Sequence, residues 1–318
     1  SSYILVDLLI AMIIYKMVTS RKLLAVSIYL FNPVILFSVY MLGQIDNSTL
    51  LLILLFLYLA VKSPKLSLIP LALSAGVKTL SLFFFAPFSL IISRNYKSAL
   101  INLLVVSAIF ILFNLPWVGE SAKFLLKSYF PPFISPFPQF ALRPDSLWGI
   151  TRIVASTVIG IYLAVLYVKS ERIINRRRIT YLIVATVCLF FSAYSAMKVN
   201  YYVILVGLFS VVWVERPNTV KKMAIFSLLW ILAFVYTRPL MGEILSPILG
   251  LEKAASLFSS RDLVNYIFKY EHLGLLAKMI IDMWILREAW YYGKIGLRSE
   301  ELIKQRETFL GKFFVLRN

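Results

Sequence analysis

Polar side chains that could do chemistry stand at a few positions between long apolar runs. Gln44, Asp46 and Asn47 follow one such run, and Lys78 stands alone before another that begins at Thr79. A carboxylate can take a proton from a hydroxyl group. An ammonium group beside the beginning of a helix attracts anions, because free backbone N–H groups and the helix dipole add to its charge. These residues predict an anion site, suited to a phosphate, with a carboxylate at its edge.

Two simpler interpretations of the same residues stay open. Lys78 can form an ion pair with Asp46, and this pair is compatible with the anion site if a ligand opens it. Asp46 and Asn47 can also cap the helix that follows them.

Two further positions carry candidate ligand-binding residues. Arg143, in the same segment as Trp148, could clamp a phosphate through two parallel hydrogen bonds. Lys198, followed by Tyr201 and Tyr202, could line the rim of a site, or Lys198 could reach the membrane surface as an interfacial lysine.

Metal and nucleophile chemistry have weak support in the sequence. His272 is the single histidine, so a histidine metal cage or a Ser-His-Asp relay lacks its second member. We predict no metal ligand and no firm cofactor, and a divalent cation stays open. No glycine-rich phosphate loop follows a strand pattern.

The composition predicts the elements that must hold these residues. Of 318 residues, 60% are hydrophobic and 15% are charged, and the mean hydropathy is +0.84. Soluble domains contain about 45–50% apolar residues. The sequence therefore predicts an all-α, polytopic integral membrane protein with about 10–12 helices, several of them short or broken. Such a protein belongs in the plasma membrane of a prokaryote or archaeon, or in the endoplasmic reticulum of a eukaryote.

The apolar runs give the predicted spans, of which several are short. Pro33 predicts a break within its span. Residues 66–92 could form one long helix, but Lys78 would then lie deep in lipid, so we predict two short helices that meet at Lys78. The predicted spans are 3–18, 23–42, 48–61, 66–76, 79–92, 98–115, 147–168, 179–197, 201–214, 223–236 and 263–286.

The net charge of +18 is distributed unevenly among the connecting segments. With two helices in 66–92, every second connection is rich in Lys and Arg, as cytoplasmic loops are. The charge thus indicates topology and not a nucleic-acid partner. We predict a transmembrane domain over residues 1–290, with an external loop near 116–146, and a basic cytoplasmic tail or surface helix over 291–318.

The order of the polar motifs resembles that of the polytopic GT-C glycosyltransferases, which include the GPI and dolichyl-linked-oligosaccharide mannosyltransferases. Asp7 stands at the external start of a span. The motifs that carry the resemblance are NP at 32–33, GQID at 43–46, GVKT at 76–79, DSLWG at 145–149 and KVNYY at 198–202.

The resemblance implies an inverting transfer of a hexose such as mannose from a polyprenyl- or dolichyl-phosphate donor. The acceptor would be a lipid, a glycan or a protein on the external or lumenal face. The implied partners are this donor, membrane lipid and a membrane protein subunit. The residues expected at the donor phosphate are Lys78, Arg143 and Lys198, and those expected at the sugar or acceptor are Gln44, Asn47, Trp148, Tyr201 and Tyr202.

Asp46 is the carboxylate that this resemblance offers for proton transfer. In the family, however, the main catalytic acid usually lies in the first external loop, which corresponds to a position before Ser1. Enzyme activity therefore depends on such a loop. The alternative is a non-catalytic membrane subunit or a lipid-linked-sugar carrier with the same fold. Ion-coupled transport would need acids buried within spans; only Asp282 comes close, and pairing with Lys278 accounts for it.

Overall fold

The computed structural model describes residues 2–41, 46–93, 95–115, 161–162, 165, 176–193, 202–237 and 261–297. All regular structure in these residues is helical, as the apolar runs predict. The α-helices are α1 Ser2–Met17, α2 Lys22–Leu30, α3 Pro33–Ile35, α4 Asp46–Lys62, α5 Pro64–Val77, α6 Phe85–Ile92, α7 Tyr96–Asn114, α8 Arg176–Ala193, α9 Tyr202–Val212, α10 Thr219–Thr237 and α11 Arg261–Leu297. A π-helical segment, Leu36–Met41, follows α3, and a 3-10 helix, Thr79–Phe84, precedes α6.

The helix break predicted from Pro33 is present between α2 and α3. Asn32 adopts an extended conformation and caps α3, because its Oδ1 accepts a hydrogen bond of 2.9 Å from the backbone N–H of Val34. Pro33 occupies the first turn of α3, where its missing N–H costs nothing. The same Oδ1 accepts a 3.2 Å hydrogen bond from Ser227 on α10, so the break is joined to a distant helix.

The prediction of two helices meeting at Lys78 is also confirmed. The helix α5 ends at Val77, and Lys78 has an extended backbone with φ −149° and ψ 116°. Beyond it the chain turns back along α4: Lys78 pairs with Asp46 at the start of α4, and Phe88 on α6 stacks on Phe56 further along α4, with ring centroids 4.9 Å apart.

Contacts between helix ends define two ends of the bundle. The Lys78 end contains Asp46 and Lys78. The Arg216 end contains Thr19 after α1, Glu215 and Arg216 after α9, and the start of α8. Thr19 donates a hydrogen bond to Glu215, and Arg178 donates one to the carbonyl of Gly296 near the end of α11. The helix α1 thus runs from the Lys78 end, where Asp7 lies beside Asn47, to the Arg216 end, while the topology relative to a membrane stays a prediction.

The helix α11 continues through residue 290, where the sequence analysis ends its transmembrane domain, to Leu297. Its last turns pack on the bundle: Tyr292 is buried, and its ring lies 5.2 Å from that of Tyr181 on α8. Gly296 faces Leu182 so closely that an added Cβ would lie 2.6 Å from the Leu182 Cγ. Glycine therefore permits the contact between α8 and α11 at the Arg216 end.

Two described helical stretches are long and apolar enough to cross a bilayer, Lys22–Tyr40 and Tyr96–Asn114. Large apolar side chains are exposed along α7, where Leu104 is 62% and Leu112 is 63% exposed. The all-α fold is therefore established for the described residues, while the number of bilayer crossings stays a prediction.

Candidate functional site

Asp7 is the centre of a polar cluster at the Lys78 end. Asp7 is 2% exposed, and its carboxylate accepts three hydrogen bonds from separate elements. The hydroxyl of Tyr29 on α2 donates to Oδ1 at 2.6 Å, and the hydroxyl of Tyr40 in the π-helical segment donates to Oδ2 at 2.6 Å. Asn47 Nδ2 on α4 adds a third hydrogen bond to Oδ1 at 3.3 Å. Because three uncharged donors bind this carboxylate, Asp7 can stay buried.

Asp46 and Lys78 form an ion pair beside this cluster. The Asp46 side chain is wholly buried, whereas that of Lys78 is 17% exposed. The ion pair that the sequence left open as the simpler interpretation is therefore present. Lys78 is the more exposed side chain of the two, so an incoming anion would meet Lys78 before Asp46.

Asn47 joins the two carboxylates into one cluster. It follows Asp46 on the first turn of α4, and its amide nitrogen binds Asp7. Its buried Oδ1 has no hydrogen-bond partner within the described residues. Helix capping alone does not account for Asp46 and Asn47, because their side chains contact Lys78 and Asp7.

This arrangement offers two kinds of chemistry. Lys78 supplies a positive charge for a phosphate, and an anion bound there would compete with the Asp46 carboxylate. A carboxylate released in this way is a hydrogen-bond acceptor and a proton acceptor in a site of low polarity. The unfilled Oδ1 of Asn47 is one further acceptor for a hydroxyl group.

Tyr202 makes its hydrogen bond outside the cluster of Asp7, Asp46, Asn47 and Lys78. Its hydroxyl donates a 2.9 Å hydrogen bond to Asp282 on α11, and Lys278 Nζ lies 2.6 Å from the other oxygen of that carboxylate. The predicted pair of Lys278 and Asp282 is confirmed. Aromatic rings connect this site with the 3-10 helix after Lys78: Phe84 contacts Phe190, Phe190 contacts Phe191, and Phe191 contacts Tyr202.

The other predicted site residues lie outside the described residues. They are Gln44, Arg143, Trp148, Lys198 and Tyr201. Their contacts with donor or acceptor stay predictions. Within the described part of the chain, no group of three or more His, Cys, Asp and Glu side chains is placed to hold a metal ion.

The Arg216 end contains a second polar cluster that the sequence analysis missed. Glu288 is 4% exposed and accepts hydrogen bonds from Arg216 Nη1 at 2.8 Å and from Trp213 Nε1 at 3.1 Å. The guanidinium carbon of Arg216 lies 3.9 Å from the ring centre of Tyr291 and 4.5 Å from that of Tyr292. Arginine suits this place because its planar group pairs with carboxylates and stacks on rings.

Asp282 is not the most deeply buried acid of the described helices. Asp7 and Glu288 are more deeply buried than Asp282, whose side chain is 24% exposed. A single acid within an apolar helix is the sequence signal that could have revealed them.

Comparison of the chain with protein-family models, with curated proteins and with solved structures finds no match. The resemblance to the GT-C glycosyltransferases therefore rests on the motifs of the sequence alone.

Proposed function

We propose that this chain is a polytopic membrane glycosyltransferase of the GT-C kind, which transfers a hexose such as mannose. The donor is a polyprenyl- or dolichyl-phosphate sugar, and the acceptor is a hydroxyl group of a lipid, a glycan or a protein. The reaction takes place at the Lys78 end of the bundle, on the external or lumenal face.

Three properties support the membrane location. The mean hydropathy of +0.84 exceeds that of water-soluble proteins. Apolar side chains are exposed along α7, as lipid-facing helices require. One end of the bundle contains Arg177, Arg178 and Arg216, which fits a cytoplasmic face.

The observation that carries the proposed reaction is the Lys78–Asp46 pair beside the buried Asp7 carboxylate. Loss of a lipid phosphate from the sugar creates negative charge, which an ammonium group stabilises. In this proposal Lys78 binds that phosphate and Asp46 leaves the pair to accept the proton of the acceptor hydroxyl. Asn47 contacts the sugar or acceptor through its unfilled oxygen.

Transfer of labelled mannose from a mannosyl-phosphoryl-polyprenol, with the full-length protein in native membranes, tests this function. We expect Lys78→Ala to lower transfer at least about tenfold, because a charge-assisted contact to the leaving phosphate is lost. Lys65→Ala is the matched control, since Lys65 is an exposed lysine at the start of α5, the helix that ends just before Lys78. Transfer at the wild-type rate by Lys78→Ala would refute the phosphate role.

A non-catalytic subunit or lipid-linked-sugar carrier is the second candidate, and one observation favours it. Both carboxylates at the Lys78 end are buried and engaged, Asp7 by three donors and Asp46 by Lys78. Such a cluster can serve to hold α1, α4 and α5 together. Binding of the labelled donor by the wild-type protein without transfer to any acceptor would support this candidate against the enzyme.

A further inference from the structure

A cavity opens at the Arg216 end, away from the proposed reaction site. It has a volume of about 230 Å³ and lies between the end of α1, the start of α8 and the end of α9. Its lining is divided into an apolar wall and a polar rim. The wall is formed by Met17, Val18, Val211 and Val212, and the rim by Thr19, Arg177, Thr180, Tyr181 and Glu215.

Arg177 is the cationic group at the rim. Its Nη2 lies 3.0 Å from Glu215 Oε2, and Thr19 donates a 3.1 Å hydrogen bond to the other carboxylate oxygen. The Arg177 side chain is 56% exposed and that of Glu215 is 31% exposed. An ion pair as exposed as this contributes about 1 kcal/mol or less, so a stronger anion can replace Glu215 at little cost.

The surroundings of the rim favour negative ligands. Four further basic residues lie near Arg177 and Glu215, at the starts of α8 and α10 and in the turn between α9 and α10: Arg178, Arg216, Lys221 and Lys222. In this region the basic groups outnumber the acidic ones. Arg177 is the cation among the residues that line the cavity, and its ion pair with Glu215 is exposed. A phosphate group matches the guanidinium in charge and in geometry.

The size and the wall of the cavity indicate an amphiphile. Pockets that enclose a drug-sized ligand begin at about 300 Å³, so this cavity accommodates a head group and the first part of a chain. Apolar side chains beside a cationic rim suit a molecule with a phosphate at one end and hydrocarbon at the other. Basic pockets between helices at a cytoplasmic face bind phospholipid head groups in this way.

We propose that this cavity binds the phosphate head group of an anionic phospholipid, with Arg177 exchanging Glu215 for the phosphate. The proposal rests on the membrane location given above and is independent of the transferase activity. If the pair of Arg177 and Glu215 were only structural, loss of either residue would change lipid binding in the same direction. At a lipid site, loss of Arg177 weakens lipid binding and loss of Glu215 strengthens it, because Glu215 competes with the lipid phosphate for Arg177 and repels that phosphate.

Binding of a short-chain phosphatidylglycerol to the full chain in detergent, measured by native mass spectrometry without any sugar donor, tests the proposal. We expect phosphatidylglycerol to bind at least about tenfold more tightly than phosphatidylcholine. Arg177→Gln should remove that preference, and Glu215→Gln should strengthen phosphatidylglycerol binding several-fold. Lys62→Gln is the matched control, since it removes an exposed positive charge at the same end outside the cavity.

Two further variants test whether the apolar wall contributes to lipid binding and whether that binding is independent of the Lys78 end. Val212→Phe should fill the cavity and weaken phosphatidylglycerol binding with every charge retained, while Lys78→Ala should leave that binding unchanged. Equal binding of both lipids by the wild type would overturn the proposal, as would wild-type binding by Arg177→Gln. Inorganic phosphate that binds alone as tightly as phosphatidylglycerol would also overturn it, because the apolar wall would then contribute nothing.

Discussion

The two ends of the bundle stabilise their buried carboxylates in different ways. At the Lys78 end, Asp46 faces an ammonium group and Asp7 faces two tyrosine hydroxyls and an amide. At the Arg216 end, Glu288 binds a guanidinium and an indole N–H, and the guanidinium also lies over two tyrosine rings.

This difference bears on what each end can do. A lysine is a compact charge on a flexible stem and can exchange one anionic partner for another. An arginine held between a carboxylate and aromatic rings is fixed in several directions at once. The Lys78 end is thus suited to a pair that a ligand opens, and the Arg216–Glu288 cluster is suited to holding α9 and α11 together.

The largest effect is expected from Asp46→Ala. Removing the carboxylate from a buried ion pair costs about 3–5 kcal/mol, because the remaining charge loses its counter-charge in a region of low polarity. The free energy of unfolding in detergent, from denaturant titration, measures the change. The double variant Asp46→Leu with Lys78→Met should recover most of the loss. If the free energy of unfolding fell by less than about 1 kcal/mol, the pair would contribute no more than an exposed ion pair does, and the expectation would be wrong.

A smaller effect, about 2 kcal/mol, is expected from Glu288→Gln. The amide oxygen still accepts from Trp213, and Arg216 retains its contacts with the rings of Tyr291 and Tyr292. The same titration measures it. Glu215→Gln at the exposed pair with Arg177 is the control and should change stability by less than about 1 kcal/mol. If Glu288→Gln cost as much as Asp46→Ala, the rings would have no compensating role.

The two tyrosines on Asp7 should differ from each other. Tyr29→Phe is expected to cost about 1.5–2 kcal/mol, since a buried hydrogen bond to a charged group is lost. Tyr40→Phe should cost less, because Tyr40 is 45% exposed and water can replace its hydroxyl. Thermal unfolding of the two variants side by side checks the order, and equal losses would contradict it.

The smallest effect is expected from Lys278→Gln, at about 0.5 kcal/mol or less. Its pair with Asp282 is partly exposed and spans one helical turn, and Asp282 retains the hydrogen bond from Tyr202. Tyr202→Phe provides the comparison at the same carboxylate. A loss of more than about 2 kcal/mol in the free energy of unfolding of Lys278→Gln would contradict this expectation, since such a loss is typical of a buried ion pair.

The sequence predicted the local features of the fold and part of the site. The break at Asn32, the reversal at Lys78 and the pair of Lys278 and Asp282 follow from signals within a few residues, namely Pro33, a lone lysine and the i,i+4 spacing. The pair of Asp46 and Lys78 could be named only as one of three interpretations, beside an anion site and helix capping. Asp7 was noted for its position in the sequence, but its role at the centre of a cluster was not foreseen.

Distance along the chain explains what was missed. The three donors to Asp7 are 22, 33 and 40 residues away, and the donors to Glu288 are 72 and 75 residues away. No local pattern connects such residues, because their contact depends on how whole helices pack. The cavity beside Arg177 has the same origin, since its lining comes from three separate helix ends.

By itself, the sequence determined the helical class, the places where helices break and the order of polar residues along the chain. These properties follow from hydropathy, from proline geometry and from spacing within one helix. Only the tertiary structure decided which acids are buried, which donors satisfy them and which cation lines a cavity. A buried carboxylate is stable only where several elements bring donors to it, and that condition is met in packing and not in any single segment.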